Sequence, residues 1–138
     1  MLPNPYDILP HRPPFLFVDE VVELVPGERV KARWFVDPEA FFFPGHFPGR
    51  PTLPGVIMLE AIAQCGAIGA LSTPAMAGKV PLFGGADKVK FRRQVSPGEM
   101  LDLEMEFGQL SARAGKGSGR ATVGGQLACQ AEFLFVAV

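Results

Sequence analysis

The sequence predicts an α+β domain in which an antiparallel β-sheet curls around one long central helix. Three observations lead there. The stretch Gly55–Leu71, GVIMLEAIAQCGAIGAL, is apolar on nearly every side and carries one charged residue, Glu60. Segments rich in Val, Phe and Leu stand before and after it, and Pro- and Gly-rich punctuation separates them. A helix without a charged stripe must be wrapped by protein on most of its faces. Strands on both sides of it supply the wrapping.

In chain order, residues 3–14 hold five prolines and the pair Pro13-Pro14, so the lead-in is irregular, with room for one turn at Tyr6–Leu9. Phe15–Val25 and Arg29–Val36 read as two strands joined at Pro26-Gly27; the second alternates Val30, Ala32 and Trp34 with Lys31 and Arg33. Asp37–Gly55 packs five prolines around His46 and should hold no regular element. The helix is opened by Pro54 and stopped by Ser72-Thr73-Pro74. After a flexible connection at 72–79, Phe83–Val95, Met100–Leu110 and Gly119–Val138 have strand content. Ser96-Pro97-Gly98 and a Gly-rich turn near Ala114–Ser118 separate them.

The 138 residues fit one domain spanning 1–138, with no internal repeat. Apolar residues make up 48% and charged residues 20%, which rules out wholesale disorder. A net charge of −1 gives no general attraction to nucleic acid, and the short KVKFRR stripe carries no recognised motif for it. No run of eighteen apolar residues suggests membrane insertion, and the N-terminus lacks the pattern of a secretory signal. Cys65 and Cys129 have no partner at metal-ligand or redox spacing and read as buried thiols. A cytoplasmic setting is expected.

The candidate chemistry lies at His46 and Glu60. By itself His46 reads as a hydrogen-bonded loop histidine. A carboxylate on an otherwise apolar helix is costly to bury when ionised, so Glu60 should have a raised pKa, a partner, or both. Gln64, four residues on, shares its helical face and can orient it. At the helix start, unpaired N–H groups of Gly55 and Val56 can receive a developing oxyanion. Gly55 and Glu60 are five residues apart, roughly 7.5 Å along a helix, a span that would set an acyl carbonyl at the helix start and its β-carbon near the carboxyl. That suits β-elimination: His46 removes the α-proton, and protonated Glu60 gives its proton to the departing β-hydroxyl. The scheme needs no metal and no organic cofactor.

Three segments carry a family resemblance: LPHRPPFLFVDEV at 9–21, FFFPGHFPGRPTLPGVIMLEAIAQ at 41–64, and FGGADKVKFRRQVSPGEML at 83–101. Together they resemble the bacterial 3-hydroxyacyl-[acyl-carrier-protein] dehydratases of the FabZ type, in the family's order and over most of the chain. The resemblance implies a hotdog fold, a role in fatty acid biosynthesis, and a homodimer that can extend to a trimer of dimers. It also implies that each site combines His46 of one subunit with Glu60 of the other, while Gly55 and Val56 face the thioester. Glutamate at 60 favours this type over the related dehydratase-isomerases, whose matching acid is usually aspartate. The chain departs from the family pattern at Thr52-Leu53, Ala86 and Lys88, positions that bear on chain length more than on chemistry.

Ile62, Phe83 and Phe91 are expected to border an acyl channel. Lys88, Lys90 and Arg92 alternate with Val89 and Phe91, so a strand there should turn a basic face outward and an apolar face inward. With Arg93 and Arg50, that face is the expected landing site for an acyl carrier protein. Two other readings compete: a hydratase or thioesterase acting on coenzyme A thioesters on the same fold, and a non-catalytic acyl-binding module.

Overall fold

A computed structural model describes residues 1–138. Its elements are helix α1 (Pro5–Ile8), strands β1 (Glu20–Val25) and β2 (Arg29–Phe35), helix α2 (Gly55–Leu71), and strands β3 (Pro81–Phe91), β4 (Met100–Leu110), β5 (Ala114–Val123) and β6 (Gln126–Ala137). The strands form one antiparallel sheet in the order β1-β2-β4-β5-β6-β3. One face of that sheet closes over α2, chiefly through β4, β2 and β5.

The period-2 pattern of β2 explains the layering. Val30, Ala32 and Trp34 are buried against the core, while Arg29, Lys31 and Arg33 point outward. On the outer face these cations meet Glu23 and Asp102 in exposed ion pairs, each worth about 0–1 kcal/mol. Stability comes instead from the inner face. Ile62, Cys65 and Ile68 of α2 are fully buried with Leu101 and Met105 of β4, and each large side chain contributes roughly 1.5–3 kcal/mol by leaving water. The helix lies close to the sheet because its facing residues are small: a Cβ on Gly66 would stand 2.7 Å from the Met105 side chain.

Several elements differ from the sequence expectation. Phe15–Asp19 does not continue β1, because the Phe17 N–H and the Phe15 carbonyl are bonded to the Gln64 side chain rather than to a neighbouring strand. The glycines from Gly115 to Gly119 form no turn. They lie within β5, where Gly115, Gly117 and Gly119 all face inward, and a Cβ on Gly119 would come within 2.5 Å of Ile62. The turn between the last two strands is Gly124-Gly125, both at positive φ. β3 starts at Pro81 and stops at Phe91, short of Val95. In the His46 loop, Phe43–Gly45 form a single 3-10 turn.

The alternation expected in the basic segment also fails. A bulge between Asp87 and Lys90 breaks the register, and Lys88 takes φ 52°. Phe91 is therefore 53% exposed, and Phe83, on the same edge strand, is 42% exposed. Ile62, by contrast, is wholly buried in the core.

Candidate active site

His46 and Glu60 stand on different supports. His46 follows the 3-10 turn, and its Nδ1–H donates to the Thr52 carbonyl at 2.8 Å. A carbonyl can only accept, so Nδ1 carries the hydrogen, which leaves Nε2 as the nitrogen that can take up a proton. The Thr52 N–H bonds back to the His46 carbonyl at 2.9 Å, closing the loop on itself. The Phe47 ring stacks on the imidazole, with centroids 4.0 Å apart and planes 26° apart.

Glu60 sits one and a half turns into α2, half-buried, and desolvation holds its carboxyl above the usual range. Gln64 Nε2 donates to Glu60 Oε2 at 2.9 Å, which opposes that shift without cancelling it. The amide cannot be turned over. Its oxygen accepts from Phe17 N–H at 2.8 Å and its nitrogen donates to the Phe15 carbonyl at 3.1 Å. Oε2 is therefore an acceptor, and the acidic proton of neutral Glu60 resides on Oε1.

Within one chain the two groups open into different cavities. His46 shares a cleft with Leu53, Gly55, Val56, Phe91 and Arg92. Glu60 and Gln64 line a second, mostly apolar cavity of about 210 Å³ with His11, Phe15, Phe83 and Phe133. Within one chain Gly55 and Glu60 therefore line separate cavities. The helix start belongs with His46 instead. Pro54 caps α2 without a side-chain hydrogen bond, so the first amides stay available. The Phe91 ring packs against Gly55, 2.7 Å from where a Gly55 Cβ would stand.

The two expected channel phenylalanines thus serve different cavities, Phe83 that of Glu60 and Phe91 that of His46. Of the basic residues, Lys90 and Arg92 are exposed, and Lys88 lies 3.8 Å from Glu132. Arg93 is engaged by Glu99 at 2.8 Å and by Gln126, so its charge is already matched within the chain. Both cysteines are buried and unpaired; burial pushes the Cys65 thiol up strongly and that of Cys129 up to about 11, leaving neither as a nucleophile. Sequence reasoning missed His11, whose Nε2 is 3.8 Å from Glu60 Oε2. With 48 residues between them, no local spacing signals the contact.

A family model described as a FabA-like domain matches residues 9–132. The chain belongs to this family. Among FabA-like relatives, the 3-hydroxyacyl-[acyl-carrier-protein] dehydratase FabZ of Moorella thermoacetica is 52% identical over 128 residues, covering 93% of this chain and 90% of that protein. The protein of the same name from Enterococcus faecalis is 50% identical over 130 residues, 94% and 92% of the two chains. In architecture this FabA-like chain matches the solved dehydratase heterocomplex ApeI:P of Xenorhabdus doucetiae, with TM-score 0.86 at 17% identity over 100% of this chain and 93% of that one. It also matches Streptococcus mutans smu.793, solved with acetyl CoA, with TM-score 0.65 at 13% identity over 86% and 87% of the chains. At those identities the likeness bears on the fold, which is the expected hotdog. No helix is long and apolar enough to cross a membrane.

Proposed function

We propose that this protein is a 3-hydroxyacyl-[acyl-carrier-protein] dehydratase of fatty acid biosynthesis, working in the cytoplasm and eliminating water to leave a trans-2-enoyl thioester. The observation that carries the reading is the Glu60–Gln64 unit. It is an acid whose protonated form burial favours, with the proton-bearing oxygen of that form selected by an amide that the backbone of Phe15 and Phe17 orients.

The geometry supports the following steps. His46 Nε2 takes the α-proton, and the electron pair left behind spreads onto the thioester oxygen, where the N–H groups of Gly55 and Val56 receive it. As the C2–C3 double bond forms, the C3–O bond breaks, and the hydroxyl leaves with the proton from Glu60 Oε1 as water. Because His46 and Glu60 of one chain open into separate cavities, we read the working site as His46 of one subunit facing the partner's Glu60. The edge strand β3, with Leu82, Phe83 and Phe91 exposed, supports a homodimer formed at that edge. Arg92, which lines the His46 cleft, and the exposed Lys90 two residues before it suit an acidic carrier protein approaching from that side.

The test is to incubate the purified protein with a 3-hydroxyacyl group on carrier protein and, separately, on coenzyme A, following the absorbance of the conjugated thioester. Turnover should favour the carrier-linked substrate, and reversing Lys90 and Arg92 to Glu should weaken that preference. No enoyl product from either substrate would remove the dehydratase reading.

A further inference from the structure

The cavity that holds Glu60 contains a second titratable side chain, which the scheme above leaves idle. The His11 ring lines this cavity with its Nε2 3.8 Å from Glu60 Oε2, and its Nδ1 is buried without any hydrogen-bond partner. Its main chain is held firmly. The Arg12 guanidinium donates to the carbonyls of Tyr6, Leu9 and His11 and lies over the Tyr6 ring, while Leu9 is buried in the core. A histidine fixed beside a buried acid, with one nitrogen orphaned and the other aimed at the carboxyl, is costly unless the second contact does something.

We propose that His11 is a positioning residue for the acid step: a neutral imidazole whose Nε2–H donates to Oε2 of Glu60 as its carboxyl loses the proton. This deepens the dehydratase reading and rests on it.

The tautomer follows from what faces each nitrogen. Oε2 already accepts from Gln64 and offers His11 only a lone pair, so the ring nitrogen turned toward it is the one bearing hydrogen. Burial and the adjacent Arg12 both hold the imidazole pKa below its usual value, which keeps the ring in the neutral form the role requires. At 3.8 Å the contact is too long for a hydrogen bond to the neutral acid, the form that burial favours. Once the hydroxyl has left with the Oε1 proton, a full carboxylate stands in an apolar cavity, and the contact shortens onto it. Gln64 and His11 then form a two-donor cradle on one oxygen, aimed where charge develops and weakly engaged before it does.

The test uses two substrates that differ only at C3. Eliminating water needs an acid; eliminating chloride from a 3-chloroacyl thioester does not, since chloride departs with its electron pair and no proton, and His46 still takes the α-proton. His11→Phe keeps the ring shape and removes the donor. We expect it to lower kcat on the 3-hydroxyacyl thioester roughly tenfold to a hundredfold, with KM unchanged and the rate on the 3-chloroacyl thioester unchanged. His11→Gln, which places an N–H2 at similar reach, should restore most of the loss. Equal losses on both substrates would mean that His11 merely holds the fold, and no loss on the 3-hydroxyacyl thioester, or no recovery with Gln, would equally overturn the proposal. An unsubstituted protein that turns over neither thioester would instead remove the dehydratase reading itself.

Discussion

The two groups at the centre of the site are wired in opposite ways. Glu60 is oriented by a side chain, Gln64, inside an apolar cavity; His46 is oriented by a main-chain carbonyl, that of Thr52, in an open cleft. The difference matches their tasks. An acid must be kept protonated, which burial favours, whereas a base must reach its substrate and needs only the correct tautomer. It also decides how each can be broken. Side-chain wiring can be cut by a point substitution; main-chain wiring passes through whatever residue occupies the position.

The largest effects should come from removing the groups themselves. His46→Ala and Glu60→Gln should each lower kcat by about 10²–10⁴-fold, as expected for a general base or acid. If the cavities are completed across the dimer, mixing the two inactive variants under conditions that exchange subunits should recover about a quarter of wild-type activity, since half the dimers then carry one intact site. No recovery, with exchange demonstrated by differently tagged subunits, would place both groups of each site in one chain.

The next effect probes the wiring of the acid. Gln64 is 1% exposed and serves Glu60, Phe15 and Phe17 at once. Gln64→Leu leaves the Phe17 N–H and the Phe15 carbonyl without their partner, at about 1–3 kcal/mol for each group left buried and unpaired. Chemical denaturation should therefore find a protein destabilised by a few kcal/mol, and kcat should fall roughly tenfold as Glu60 loses the donor that selects its proton-bearing oxygen. An unchanged midpoint of unfolding would mean that the backbone at 15–17 is held by something other than the amide.

How much of this was legible beforehand follows the same division. The buried helix, the meander at the end of the chain and the Glu60–Gln64 pair could all be read from sequence, because side-chain periodicity and an i, i+4 spacing leave marks in the order of residues. The glycines of β5 were misread as a turn because glycine marks both a turn and a close approach. Only the identity of the facing residues, Met105 and Ile62, separates the two. The Phe15–Asp19 stretch was misread as strand because its strand-like composition hides where its backbone bonds go. The Thr52 carbonyl was invisible, since every residue has one. His11 was hidden by the 48 residues that separate it from Glu60 along the chain.

The smallest expected effect is therefore the sharpest check on the comparison. Thr52 contributes its carbonyl to His46 and its N–H to the His46 main chain, while its own hydroxyl makes only a 3.4 Å contact with the Arg50 carbonyl. Thr52→Val keeps the β-branch, and with it the backbone preference, and discards only that weak contact. Steady-state kinetics should find kcat within about twofold of wild type, and stability should change by less than about 0.5 kcal/mol, the ordinary range for a surface substitution. A tenfold loss would mean that the hydroxyl, and not the carbonyl, holds His46 in place. The contrast with Gln64 would then vanish, because both catalytic groups would hang on side chains.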